Sequence, residues 1–414
     1  MAPRVLHLST YDTNGGAARA AYSLHKAMVD EGLDSQMWVA RKGTSDPTVT
    51  EHGTTRFRFT SELDRQLWKI QKSPTKTWRS PARFSSLTAK EINACDADIV
   101  NLHWVTDGFL SIEEIGKIEK PIVWSLYDMW PFTGTEHYAT DTEDARWRTG
   151  YTNANRPGDE RGIDIDRWTW QRKKAHWTTP MHIVSASTWL QNRAGSSALM
   201  SNWLHYRIPH IVDCDVFAPM PKDEARQRLG ITTEAPIVLF LASAGIHDRR
   251  KGWDLLDEAL HTVREAHPDL EVMIVGPPEP NYEPRSGVEL HWYGMATSNA
   301  ELALLYNAAD VTAVPSREDN MPLTAMESQT CGRPVVAFNI GGLPDIIEDQ
   351  GSGSLVGSGS TSSLAAAIMA VVEDSRQSNC YGNRARERAL AAWSPTVVVK
   401  HYEMLLEQVL SRIA

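Results

Sequence analysis

Ser316-Arg317-Glu318-Asp319-Asn320-Met321-Pro322-Leu323-Thr324-Ala325-Met326-Glu327 runs on into Cys331-Gly332-Arg333-Pro334-Val335-Val336-Ala337-Phe338. The segment lies between two apolar, β-branched runs, Val311–Val314 and Pro334–Phe338. Two such runs around a helix-sized segment read as neighbouring parallel strands with a crossover helix. Pro322 suits the first turn of that helix, where a missing N–H costs little. The unpaired N–H groups of the turn point at whatever anion or hydroxyl lies beyond the strand tip. Asp319 precedes the turn and Glu327 lies more than one turn inside the helix. The arrangement suits a hydroxyl-rich, negatively charged ligand.

The same alternation of short apolar runs and helical patterns extends outward through the chain, which is the sign of parallel sheets with crossover helices. Strands are expected near Val5–Ser9, Gln36–Ala40, Ile99–His103, Ile122–Leu126 and His182–Ser185 in the first half. In the second half they are expected near Ile237–Ala242, Glu271–Val275, Val288–Tyr293, Val311–Val314 and Val335–Phe338. Pro209, Pro219 and Pro221 punctuate a segment without periodicity, so the break falls there. The expectation is an α/β protein of two Rossmann-like, doubly wound domains, 1–208 and 223–392, joined by a linker at 209–222. A final amphipathic helix, at 393–414, crosses back to the first domain. Ligands of such sheets bind at the carboxyl ends of the strands, here in a cleft between the domains.

With 414 residues, 42% hydrophobic and 23% charged, the chain has room for two ordinary domains. It holds no run of about 18 apolar residues and no signal-peptide core, and its four cysteines match no metal spacing. A cytoplasmic protein is expected. Residues 1–210 carry 26 basic and 24 acidic side chains, whereas 211–414 carry 16 and 28. Nucleic acid is a poor partner for a chain with net charge −10.

Several further segments carry polar chemistry. Gly15-Gly16 follows the first strand and opens the first helix, letting the backbone approach a ligand. Asp248-Arg249-Arg250-Lys251-Gly252-Trp253 follows the first strand of the second half. Asn101-Leu102-His103-Trp104 and Ser125-Leu126-Tyr127-Asp128-Met129-Trp130 end two strands of the first half. Gly351 to Gly357 lacks the context of a dinucleotide loop and reads as a surface turn. Asp164-Ile165-Asp166 reads as a cap and first-turn carboxylate of the helix that follows. Between residues 56 and 90 nine bases (Arg56, Arg58, Arg65, Lys69, Lys72, Lys76, Arg79, Arg83, Lys90) face two acids, with Phe57, Phe59, Trp68, Trp78 and Phe84 interleaved. That stretch suits an anionic membrane surface or an acidic acceptor. A solvated helix with buried aromatics is the plain alternative.

Asp319, seven residues, then Glu327, followed by Gly332-Arg333-Pro334-Val335-Val336, resembles the acidic signature of retaining GT-B glycosyltransferases of family 4. Glu318-Asp319-Asn320-Met321-Pro322 is similar to the polysaccharide-assembly branch, and Ile340-Gly341-Gly342-Leu343-Pro344-Asp345 resembles a further turn of the family. The resemblance implies transfer of a sugar from a nucleotide-diphosphate sugar to a glycan or lipid-linked acceptor, without cofactor or divalent metal. It makes the first domain the acceptor side and the second the donor side. Lys251, with Arg249 or Arg250 in place of an absent family arginine, would hold the diphosphate. Glu327 would hold the ribose; Asp319, Asn320, Met321 and Pro322 would hold the sugar. Gly16 would lie beside the diphosphate, and Gly15, His103, Trp104, Tyr127, Asp128 and Trp130 would line the acceptor side. Tyr127 stands where the family has histidine, and Asp319 where it has glutamate. Those departures keep open a non-catalytic glycan- or nucleotide-binding protein, or another GT-B enzyme such as a sugar-nucleotide epimerase or a pseudo-glycosyltransferase. Lipid-linked acceptors would put the protein at the inner face of the membrane.

Overall fold

The structure, a computed structural model, describes residues 3–74, 78–279 and 281–412. It divides into two compact units: one takes residues up to Pro209 together with those from Val399 onward, and the other runs from His210 to Val398.

In the first unit the strands are β1 (Val5–Tyr11), β2 (Ser35–Arg41), β3 (Val49–Glu51), β4 (Gln71–Lys72), β5 (Ile99–Leu102), β6 (Ile122–Leu126), β7 (Arg161–Gly162), β8 (His182–Ser185) and β9 (Leu204–Arg207). Seven form one parallel sheet in the order β3-β2-β1-β5-β6-β8-β9, and β4 pairs antiparallel with β7. Alternation along β1 divides its side chains between two faces. Leu6 and Leu8 join Val100, Leu102, Trp124, Leu126 and Ile183 in the main core. His7 and Ser9 point to the other face, where Asn101, His103 and Ser125 are also buried. The end of the terminal helix, Pro395–Ser411, closes over this polar face: the Tyr402 hydroxyl lies 3.0 Å from Ser125 Oγ.

In the second unit, β10 (Ile237–Leu241), β11 (Glu271–Val275), β12 (Glu289–Trp292), β13 (Val311–Val314), β14 (Val335–Phe338) and β15 (Gly353–Val356) form a parallel sheet ordered β12-β11-β10-β13-β14-β15. Its inner strands β10, β11, β13 and β14 are mostly apolar because helices cover both faces, and Val238, Phe240, Val272, Ile274, Val311 and Val336 sit in its core.

The sheets fall where the apolar runs placed them, with one correction. Gly353–Val356 is not part of a surface turn. It is an edge strand whose Ser354 and Leu355 register with Val336 and Ala337 of β14. The Gly353 site admits no side chain, since a Cβ there would lie 2.4 Å from the Val335 carbonyl. A four-residue strand that opens on a glycine and a serine carries too little hydrophobic signal to stand out.

Candidate functional site

Neighbouring parallel strands deliver their following loops to the same edge of a sheet, so β10 and β13 bring residues 242–252 and 315–322 together. Gly252 has φ +76° and caps the helix Trp253–Ala266; a Cβ on it would lie 2.0 Å from the Pro315 carbonyl. Only glycine lets the two loops approach this closely. Arg317 completes the join. Its N–H donates to the Arg250 carbonyl at 2.8 Å, and its guanidinium grips both Asp254 oxygens at 2.8 and 2.7 Å.

Asp319 lies at the centre of this junction, 7% exposed. Lys251 Nζ donates to its Oδ2 at 2.8 Å and Arg250 Nη1 at 3.2 Å. Burial alone would raise the Asp319 carboxyl, but the Lys251 and Arg250 charges outweigh it and hold the group below the usual carboxylate range. Arg250 also pairs with Asp248 at 3.7 Å, so the junction holds an ammonium and a guanidinium fixed by two carboxylates, and fixed cations of this kind are what an anionic ligand meets. Arg250, rather than Arg249, takes the place beside Lys251. The Arg249 side chain is exposed, and its carbonyl accepts from Arg317 Nη1.

Glycines from a third loop support Asp319 from behind. Gly341 has φ +54°, and a Cβ on it would fall 1.8 Å from the Asp319 carbonyl; the Gly342 N–H donates to that same carbonyl at 3.2 Å. Asn320 and Met321 are buried, and Pro322 caps the helix Leu323–Thr330 from just outside its first turn. Glu327 is buried on that helix, and its Oε2 accepts the Tyr306 hydroxyl at 2.8 Å. His210 was missed in the sequence, where it follows Pro209 in the aperiodic linker. Desolvation takes it down to about 4, with the Asp319 charge pulling the other way, so it belongs to this surrounding.

In the first unit the loops after β5 and β6 form a small pocket lined by His103, Trp104, Tyr127, Asp128 and Trp130, with room for about one water-sized group. Asp128 is a knot of this wall. Its Oδ2 lies 2.6 Å from His137 Nδ1 and accepts from Trp104 Nε1 at 3.2 Å, and its Oδ1 accepts from the Trp130 N–H at 2.9 Å. Trp130 Nε1 donates to the Ser80 carbonyl at 2.7 Å, and Ser80 Oγ lies 2.8 Å from His137 Nε2. Tyr127 meets His103 Nδ1 at 2.9 Å, and burial pushes its phenol well above its usual range. A phenol kept protonated in this way does not serve as a base near pH 7. Gly15 and Gly16 stand apart from the pocket wall, at the start of the helix Gly16–Asp30. Gly15 has φ +91° and ψ 170°, a conformation reserved for glycine, with open space where a side chain would be.

The Asp-x-Asp segment is structural. Asp164 caps the helix Ile165–His176 by accepting the Arg167 N–H, and Asp166 is buried against Arg79 and Thr135. One group of metal-ligating type occurs among the described residues, Glu271, Glu289 and His291. Glu271 and Glu289 are the first residues of their strands, so the group sits at the sheet edge opposite to Asp319. In the stretch 56–90, Arg65, Arg79 and Arg83 are paired with Asp107, Asp166 and Glu113. Arg56, Arg58, Lys69 and Lys72 remain on the surface with Phe59, Ile70 and Trp78. Lys76 lies outside the described residues.

Residues 235–374, which include the Asp319 junction, match the family described as Glycosyl transferases group 1. Among curated proteins, D-inositol 3-phosphate glycosyltransferase of Segniliparus rotundus is 35% identical over 161 residues, covering 36% of this chain and 35% of that protein. The enzyme of the same name from Kineococcus radiotolerans is 34% identical over 214 residues, covering 46% and 48%. The chain spans less than half the length of these two relatives. Among solved structures, sucrose-phosphate synthase from Thermosynechococcus elongatus superposes with a TM-score of 0.68 at 17% identity, over 99% of this chain and 100% of that one. Anabaena HepE in complex with UDP and glucose gives 0.68 at 15%, over 98% and 99%. The fold of the chain is therefore the α/β GT-B fold, and its second unit carries the likeness to the glycosyl transferases of group 1.

Proposed function

We propose that the protein is a retaining, metal-independent glycosyltransferase of family 4, polysaccharide-assembly branch. It would move a sugar from a nucleotide-diphosphate sugar to a glycan or lipid-linked saccharide. The observation that carries this reading is the Lys251–Arg250–Asp319 cluster at the strand tips of the matched region. Breaking a glycosidic bond to a nucleoside diphosphate builds negative charge on phosphate oxygens, and fixed cations stabilise it without a metal. In this reading Lys251 and Arg250 hold the diphosphate, Asp319 sets their geometry and meets a sugar hydroxyl, and Glu327 takes the ribose. The first unit supplies the acceptor side through its Tyr127–Asp128 pocket. HepE was solved with UDP-glucose, which puts uridine donors first in a binding panel.

That panel is the test. Thermal unfolding with UDP, GDP, ADP and their sugars, in EDTA, is expected to show stabilisation by one base. At a hundred times the dissociation constant the gain is about 2.7 kcal/mol. Lys251→Met is expected to remove that gain and also to lower the ligand-free midpoint, because buried Asp319 loses one of its two cations; the gain is therefore read as the shift between ligand-free and nucleotide-loaded variant. No shift with any nucleotide, together with no turnover, would favour a non-catalytic binding protein, the reading that Tyr127 supports.

A peripheral place at the cytoplasmic face of a membrane belongs to the same proposal. No described helix is long and apolar enough to cross a membrane. The contact would come from Phe59, Ile70 and Trp78 among Arg56, Arg58, Lys69 and Lys72, which together offer apolar anchors and a positive field. Phe59→Ser with Lys69→Glu and Lys72→Glu is expected to cut binding to anionic vesicles at least tenfold; unchanged binding would end this part of the reading.

A further inference from the structure

The buried polar face of the first sheet holds a hydrogen-bonded line of three side chains drawn from three neighbouring strands and their ends. His7 Nδ1 on β1 lies 2.8 Å from His103 Nε2, just past β5, and His103 Nδ1 lies 2.9 Å from the Tyr127 hydroxyl, just past β6. His7 is fully buried and His103 is 2% exposed. Such a line can carry its protons in either direction, and the far end decides which.

His7 Nε2 is buried without a hydrogen-bond partner among the described residues. The His7 ring centre lies 5.6 Å from that of His25, on the helix Gly16–Asp30. Met37, which registers with His7, packs with Ala21 and Val39 in an apolar cluster. His25 is close by, but its two ring nitrogens are engaged by Ser35 and Thr48 at 2.8 Å each. With both His25 nitrogens engaged and Ala21, Met37 and Val39 apolar, none of these neighbours receives an N–H from Nε2. A buried N–H left without an acceptor is a rare and costly arrangement, whereas an unused lone pair is tolerated more readily. His7 therefore carries its proton on Nδ1. Burial, with the neighbouring His103 and His25 rings, pushes His7 well below its usual range, so the ring is neutral.

The rest follows by proton counting. His7 Nδ1–H donates to His103 Nε2, which must then be the bare nitrogen of a neutral ring. His103 consequently carries its proton on Nδ1 and donates to the Tyr127 oxygen. We propose that His7 and His103 are both locked as Nδ1–H tautomers, and that they act as positioning residues which turn the Tyr127 hydroxyl proton away from His103, so that Tyr127 accepts from His103 and donates elsewhere. A ligand atom that meets this hydroxyl is then an acceptor oxygen, such as a sugar hydroxyl oxygen or a carboxylate. The statement about ligand atoms rests on the glycosyltransferase reading; the tautomers do not.

Neutral histidines in water favour the other tautomer, with the proton on Nε2, so the signature stands out. The full chain, labelled with nitrogen-15 in histidine, would be observed at neutral pH through two- and three-bond proton–nitrogen correlations. His137, whose Nδ1 faces the Asp128 carboxylate at 2.6 Å, also carries a proton on Nδ1; besides it, the Nδ1–H pattern is expected of His7 and His103, assigned by the signals that disappear in His7→Asn and His103→Asn. His7→Asn also tests the logic, because its amide nitrogen can stand where Nδ1 stands; His103 is expected to keep its Nδ1–H. Should either variant fail to fold, through-space contacts between the His103 and Tyr127 ring protons assign the wild-type spectrum. An Nε2–H or a doubly protonated ring at either position overturns the proposal. The measurement uses no substrate, so absence of nucleotide binding would count against the sugar-transfer reading alone.

Discussion

Lys173→Met is expected to destabilise the first unit by about 3–5 kcal/mol, more than any exposed basic residue of the chain should. Lys173 is fully buried on the helix Ile165–His176. Its ammonium donates to the carbonyls of Trp130, of Thr133 at 3.2 Å and of Gly134 at 2.9 Å. It also lies 3.9 Å from the centre of the Trp130 ring and 5.7 Å from that of Trp177. Burial drives the group well below the usual lysine range, yet three carbonyls accept and cannot donate. Three N–H donors, which only the ammonium has, satisfy them all. Methionine nearly fills the same volume but takes the donor from the Thr133 and Gly134 carbonyls and leaves that of Trp130 with only the Thr133 hydroxyl at 3.4 Å, at about 1–3 kcal/mol for each buried group left unpaired, before relaxation. The neighbour Lys174 is exposed, and Lys174→Met is expected to cost less than about 1 kcal/mol. Urea unfolding followed by tryptophan fluorescence suits the comparison, since twelve of the fifteen tryptophans lie in the first half. The carbonyls in question belong to the loop that carries Asp128 and Trp130, so the variant should also loosen the pocket. Equal stability of the two variants would mean that water replaces the ammonium and that the loop is held by Asp128 and His137 alone.

That buried lysine marks the limit of what the amino-acid pattern discloses. In sequence, Arg167 to Trp177 is a charged helix, and nothing local distinguishes Lys173 from Lys174. The distinction is made by carbonyls some forty residues earlier. Strands were legible for the opposite reason. Ile122–Leu126, His182–Ser185, Glu271–Val275, Val311–Val314 and Val335–Phe338 are local apolar runs, and the structure gives each of them the same ends. Val49–Glu51, Leu204–Arg207 and Gly353–Val356 are short or polar edge strands, held by one neighbour each, and so left little trace. Among candidate site residues, the spacing from Lys251 to Asp319 conveyed nothing of their contact, because it depends on β10 and β13 being neighbours. The choice between Arg249 and Arg250 likewise needed the turn at Gly252. His7 was more accessible: Leu6-His7-Leu8-Ser9 alternates, which already assigns His7 and Ser9 to the face away from the leucines.

The glycines behind Asp319 offer the sharpest test of whether the second unit's junction is built for position. Gly341→Ala is expected to cost about 3 kcal/mol or more, while Gly230→Ala in the same unit should cost about 1–2 kcal/mol. Both residues are left-handed, at φ +54° and +71°, so the backbone penalty is shared. They differ in what a methyl group would meet. At Gly230, the C-cap of the helix Lys222–Leu229, nothing lies within 4 Å. At Gly341 the new carbon would sit 1.8 Å from the Asp319 carbonyl oxygen and 3.0 Å from its carbon. These are backbone atoms, with no flexible end that could swing aside. Relief requires moving either the Gly341-Gly342 turn or the Asp319 loop, and the Gly342 N–H bond to the same carbonyl couples the two. Displacing Asp319 separates its carboxylate from Lys251 and Arg250, which reach it at 2.8 and 3.2 Å. The expected result is therefore double: a lower unfolding midpoint, and loss of nucleotide-dependent stabilisation even at temperatures where the variant is folded. Gly230→Ala should lower the midpoint alone. If Gly341→Ala proved as mild as Gly230→Ala and kept its nucleotide response, the Asp319 loop would be shown to yield without consequence. The carboxylate would then owe its place to the two cations, and the glycine turn would be no part of the site.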